Sequence, residues 1–163
     1  MDKKEFTKKT AEWLKDFLSN KYDVLEVLIP ESNLSKIRNE YIKSCKDYSS
    51  WEFKPDVLGI VKNKDNGEIE LVLLNRSVSS ISLKEIGELY CYSKLVNSKM
   101  SFLLSLNGVS NEVGILLLDT DAKKRLLNYG DGKEIVILSW DSKKNGVNYD
   151  SVIPFEKKSL FID

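Results

Sequence analysis

The chain has 163 residues, 42% of them hydrophobic and 31% charged, which suits one soluble globular domain and leaves no room for two comfortable ones. Its 25 basic and 25 acidic side chains cancel, so no excess of positive charge announces a phosphate-backbone binder; a local patch would have to do that work. It contains no histidine, and that excludes Ser-His and Cys-His nucleophilic catalysis, His-ligated metals and His proton shuttles. Catalysis, if there is any, rests on carboxylates, Lys, Tyr or a metal held by oxygen.

The start, MDKKEFTKK, is charged and has no apolar run behind it, and no segment is apolar for long enough to span a membrane. The expected compartment is the cytoplasm. Phe6, Thr10, Trp13, Leu14, Phe17 and Leu18 recur at helical spacing and predict a helix over 4–20. Residues 23–29, rich in Val, Leu and Ile, read as a strand ending before Pro30. Leu34, Ile37, Arg38, Tyr41, Ile42 and Cys45 predict a second helix over 33–46. Lys36, Lys43 and Lys46 occupy its other positions, either as a solvated face or as nucleic-acid contacts. Cys45 and Cys91 lie in separate apolar patterns and read as reduced, buried thiols. Neither has a Cys or His neighbour with which to hold zinc.

Strands over 56–62 and 69–76 should pair as a hairpin around Asn63-Lys64-Asp65-Asn66-Gly67, since Asn66 and Gly67 both tolerate positive φ. Ser82-Leu83-Lys84-Glu85 is a capping box opening a helix that runs to about Val96, with Ile86, Leu89, Tyr90 and Leu95 turned inward. Residues 101–106 form another apolar strand, and 113–118 are ambiguous between a strand and the start of a helix. A helix over 122–129 should end at Gly130 as its C-cap, and 134–140 is a last clear strand. The tail, 147–163, should pack through Tyr149, Val152, Ile153 and Phe155. The order predicts an α/β fold with a mixed central sheet flanked by helices. Asp119-Thr120-Asp121 lacks the glycine and the terminal Glu of a calcium loop. Lys123-Lys124-Arg125 and Lys143-Lys144 read as solvated.

Pro55-Asp56 before an apolar hairpin, followed by the capped helix with Glu88 and Tyr92-Ser93, resembles the restriction-endonuclease-like (PD-(D/E)xK) nuclease superfamily. The resemblance implies that core fold over the single domain, with Asp56 as a metal ligand. It further implies a second acid on the next strand and a Lys two residues beyond that acid, so that both project from one strand face. Magnesium is the implied cofactor, because it is hard and oxygen-seeking and activates a bound water. Glu12 is a match for the acid that members carry on the first helix.

The departure lies in Leu71-Val72-Leu73-Leu74-Asn75-Arg76, where the acid falls on Leu73 or Leu74 and the Lys on Asn75 or Arg76. Neither register supplies an acid-x-Lys pair. The first expectation is therefore an eroded nuclease site on a protein that binds DNA, or a partner in DNA processing or defence. Lys84, Tyr92, Lys43 and Lys46 are the expected nucleic-acid contacts. The alternative is an active Mg²⁺-dependent endonuclease in which Asp56 and a migrated Glu88 hold the metal and Arg76 orients the phosphate. Glu85 is already occupied by the capping box, and Glu70 stands too early on its strand. A third reading is a protein-interaction module without nucleic acid. A dimer is implied only by analogy with relatives that cut two strands.

Overall fold

The structure, a computed structural model, describes residues 1–162; of the tail, Asp163 lies outside the described residues. Asp2 caps helix α1 (Lys3–Ser19) by accepting the Glu5 N–H at 2.8 Å, where the orphan donors of a first turn need an acceptor. Strand β1 (Asp23–Leu28) follows, then β2 (Val57–Lys62) and β3 (Ile69–Ser77), which form an antiparallel meander. Gly67 (φ +72°) turns the β2–β3 hairpin. Helix α3 (Leu83–Val96) crosses back to β4 (Met100–Ser105), which runs parallel to β3, as a helical crossover allows.

The chain then continues through the short helices α4 (Asn111–Leu116) and α5 (Thr120–Leu127), the short strand β5 (Asn128–Gly130), and strands β6 (Lys133–Asp141) and β7 (Gly146–Ile153). The sheet order is β1-β2-β3-β4-β6-β5, with β7 also on β6: a mixed seven-stranded sheet with helices on its faces, as the sequence predicts. No helix among the described residues is long and apolar enough to cross a membrane.

Two apolar layers sandwich the sheet, and strand alternation decides which residue joins which. Leu58, Ile60, Leu71 and Leu73 pack with Ile86 and Leu89 of α3. Val57, Val61, Val72 and Leu74 pack with Phe6, Leu14 and Leu18 of α1. At Gly59 α1 lies close on the sheet: a Cβ there would lie 2.8 Å from a Leu18 methyl. β1 is the outer strand on one side, interrupted by a register shift between Val24 and Glu26.

Three expectations need correcting. The helix over 33–46 is instead a 3₁₀ turn (Leu34–Lys36), an extended stretch, and α2 (Glu40–Lys43) restarted by the Asn39 cap. The Leu34 and Ser35 N–H groups donate to the carbonyls of Phe53 and Trp51, at 2.9 and 3.0 Å. A tertiary strap thus outcompetes local helix propensity. Gly130 caps nothing: α5 ends at Leu127 because buried Tyr129 draws the chain into β5, its hydroxyl donating to the Ser98 carbonyl at 3.1 Å. Leu95 (55% exposed), Phe155 (65% exposed) and Cys91 face outward, whereas Val152 is buried. The ambiguous run 113–118 begins within α4, whose N-cap Ser110 accepts the Val113 N–H at 3.2 Å.

Candidate functional site

Asp56 stands one residue before β2, and its surroundings settle the register of β3. Val57 pairs with Leu74, so Asp56 lies opposite Asn75, whose Oδ1 accepts the Asp56 N–H at 3.1 Å. By strand alternation the β3 positions sharing the Asp56 face are Leu73 and Asn75. Leu73 is fully buried against α3. Arg76 belongs to the α1 face, where its Nε donates to Thr7 Oγ1 at 2.8 Å. It therefore does not stand at the position of a motif lysine, which must share the face of the acid.

Asp56 and Arg76 nevertheless meet at the strand end. Asp56 Oδ2 accepts the Arg76 backbone N–H at 2.9 Å and lies 3.6 Å from the guanidinium. Both side chains are largely buried, 25% and 19% exposed, so the pair is screened less than a surface one. Thr7, which fixes the guanidinium, donates its own hydroxyl to the Lys3 carbonyl at 2.7 Å, so the first turns of α1 position Arg76.

Arg76 separates two cavities. One, of about 200 Å³, is lined by Lys4, Thr7, Lys8, Ile29, Pro30, Lys54, Pro55, Asp56 and Arg76. The other, of about 260 Å³, brings Arg76 together with Lys3, Lys84, Glu85 and Glu88 beside the turn 77–79. Six cations thus surround Asp56, Glu85 and Glu88, and the acids are engaged. Ser82 donates its backbone N–H to Glu85 at 3.0 Å, and its hydroxyl bonds the same carboxylate, closing the capping box. Burial alone would raise the Glu85 carboxyl, but those Ser82 bonds, with Lys84 nearby, hold it below the ordinary carboxylate value. Glu88 accepts the Tyr92 hydroxyl at 3.0 Å, and the Tyr92 ring stacks on Phe53 with centroids 4.2 Å apart. Burial, then the Glu88 hydrogen bond and the Glu88 charge, with smaller contributions from Cys91 and Asp56, push the Tyr92 hydroxyl up to about 12.

The residues present do not make a magnesium centre of the expected kind. Leu73 and Asn75 offer no carboxylate opposite Asp56, and one Asp56 oxygen is already engaged by Arg76. Among the described residues no group of three or more Asp, Glu, His and Cys side chains is placed to hold a metal ion. Asp56 and Glu88 line different cavities.

Comparison with known proteins gave no matching family model, no matching curated protein and no matching solved structure.

Of the residues singled out in the sequence, Asp56, Arg76, Lys84, Glu88 and Tyr92 gather at this end of the sheet. Lys46 does not. It lines a cavity of about 480 Å³ with Trp51, Glu68, Glu70, Lys99 and Lys133, at the other end of β3. Glu70 and Arg76 are six residues apart on one strand, about 20 Å. Lys43 lies on α2, exposed, outside both Arg76 cavities, and Glu12 likewise lines neither. Sequence reading missed Lys3, Lys4, Lys8, Lys54 and Thr7. The lysine-rich opening of α1, KKEFTKK, is the one signal that could have flagged four of them.

Proposed function

We propose that this protein binds nucleic acid through the Asp56–Arg76 end of its sheet, on a restriction-endonuclease-like core whose cutting chemistry has been lost. What supports the reading is the charge reorganisation at Asp56. Its carboxylate is met by a fixed guanidinium where the superfamily would use a metal, and Leu73 and Asn75 replace the acid and the lysine. The Pro-Asp entry to β2, the β2–β3 hairpin and the Ser82-capped α3, on which the resemblance rests, are all formed. The surplus of Lys and Arg around Arg76 gives phosphates something to contact, although the whole chain is neutral.

Titrating fluorescent single- and double-stranded DNA across a salt series, beside a cleavage assay with magnesium or manganese, tests this. The expected result is binding that weakens steeply as salt rises, with the DNA left intact. Metal-dependent cleavage that disappears in Asp56→Ala would overturn the loss of chemistry.

A second reading has an observation of its own. Ile115 and Leu118 are 70% and 85% exposed at the end of α4, an apolar knuckle suited to a protein contact. An absence of DNA binding, together with a salt-insensitive protein complex, would favour that interaction-module reading.

A further inference from the structure

Resting on the nucleic-acid reading above, we infer that the 200 Å³ cavity beside Arg76 is a pocket for a terminal phosphate, a phosphomonoester at a strand end, and not a groove for continuous backbone. Charge comes first. Lys4, Lys8, Lys54 and Arg76 line the cavity against Asp56 alone, and Asp56 already accepts the Arg76 N–H. An internal phosphodiester carries one negative charge, whereas a phosphomonoester carries about −1.5 to −2 near neutral pH. The imbalance matches the more highly charged group.

Geometry gives a second, independent reason. Arg76 Nε is tied to Thr7 Oγ1 at 2.8 Å, and Nη1 lies 3.6 Å from Asp56 Oδ2, beyond hydrogen-bond length, so neither Nη group makes a hydrogen bond to protein among the described residues. A pre-oriented fork with free donors suits two phosphate oxygens and loses little side-chain freedom on binding. The lysines are exposed, and Thr7, Pro30 and Pro55 are buried, so exposed cations rim the cavity above buried lining residues.

Size and lining agree. The volume of about 200 Å³ holds roughly six or seven waters at about 30 Å³ each, the room that a phosphate and its sugar take up. Ile29, 42% exposed, with Pro30 and Pro55, offers an apolar wall for the sugar or base of that last nucleotide.

The experiment compares one short single-stranded oligonucleotide in three forms, with a 5′-phosphate, with a 3′-phosphate, or with hydroxyls at both ends. The full chain is titrated with each by fluorescence anisotropy at matched salt. A nucleoside monophosphate and inorganic phosphate are added as competitors, to separate a strand end from a free anion. The expected result is that one phosphorylated form binds about tenfold tighter or more than the hydroxyl form, as added charge-assisted hydrogen bonds allow. Lys8→Ala and Lys54→Ala, both at exposed positions, should each shrink that preference while far-ultraviolet circular dichroism stays unchanged. Equal binding of all three forms would overturn the terminal-phosphate pocket and leave the nucleic-acid reading standing. Competition by inorganic phosphate as effective as by the mononucleotide would also overturn it, reducing the cavity to an unselective anion trap. Binding of none of the three would sink the nucleic-acid reading itself.

Discussion

The two ends of β3 carry the same residue types and put them to opposite use. At the Asp56 end, six cations face three acids, and Arg76 is held by Thr7 with donors to spare. At the Glu70 end the cavity is larger, about 480 Å³, yet Lys99, Lys133 and Glu70 of its charged lining are met by protein groups. Lys99 lies 3.8 Å from Glu70, Lys133 donates to Asn97 Oδ1 at 2.9 Å, and Asn63 donates to Glu70 at 3.0 Å. Even the tyrosines correspond, each beside a carboxylate: Tyr92 with Glu88, and Tyr22, whose hydroxyl is raised by burial and then by Glu70. If the proposed function holds, neither volume nor the presence of lysines is what distinguishes the binding end from the other. On the proposed reading, what sets the Asp56 end apart is a guanidinium fixed by Thr7 whose Nη groups make no hydrogen bond to protein among the described residues.

The sharpest way to break this contrast is charge reversal at matched places. Arg76→Glu should weaken DNA binding by about 1.5–3 kcal/mol, roughly ten- to a hundredfold, whereas Lys133→Glu should leave the affinity nearly unchanged. Equal losses in anisotropy titrations would erase the distinction between the ends. Next in size, Asn75→Ala removes the acceptor of the Asp56 N–H at a buried position and should cost about 1–3 kcal/mol in urea unfolding.

A pH titration sharpens the electrostatics. The Tyr92 hydroxyl, held near 12 against an ordinary 10, keeps its proton more tightly in the folded chain. Its contribution to stability is complete below pH 10 and is lost as pH rises through 12. Ultraviolet absorbance of wild type against Tyr92→Phe should show that late-titrating tyrosine vanish. If it titrates near 10, neither the burial of the ring hydroxyl nor its Glu88 hydrogen bond persists in solution. The smallest effect belongs to Glu70→Gln, which removes a long, partly exposed ion pair and should change stability by less than about 1 kcal/mol. DNA affinity should not follow it.

How much of this was legible depended on how local the cause was. The β2–β3 hairpin, the Ser82–Glu85 box and the α1 stripe were readable because a few adjacent residues carry each signal. The segment 33–46 was not, because its conformation is dictated by carbonyls of Phe53 and Trp51 that lie far along the chain. For the same reason the KKEFTKK opening of α1 could flag lysines but not their meeting place: Lys4 and Lys54 meet Arg76 only once α1 lies across the sheet. The place of Asp56 was readable from Pro-Asp, but its pairing with Asn75 required the register, and alternation then moved Arg76 to the opposite face.

The irregular outer strand β1 has a consequence for how copies of the chain behave when crowded. An even, unpaired strand edge is a template on which another chain can add. Here the register slips between Val24 and Glu26, and Asn39 Nδ2 donates to the exposed Glu26 side chain at 2.8 Å. A second copy laid along that edge would lose hydrogen bonds at the slip and meet a row that includes Asp23 and Glu26. The same bulge that bends the outer strand therefore guards the margin of the sheet against open-ended polymerisation.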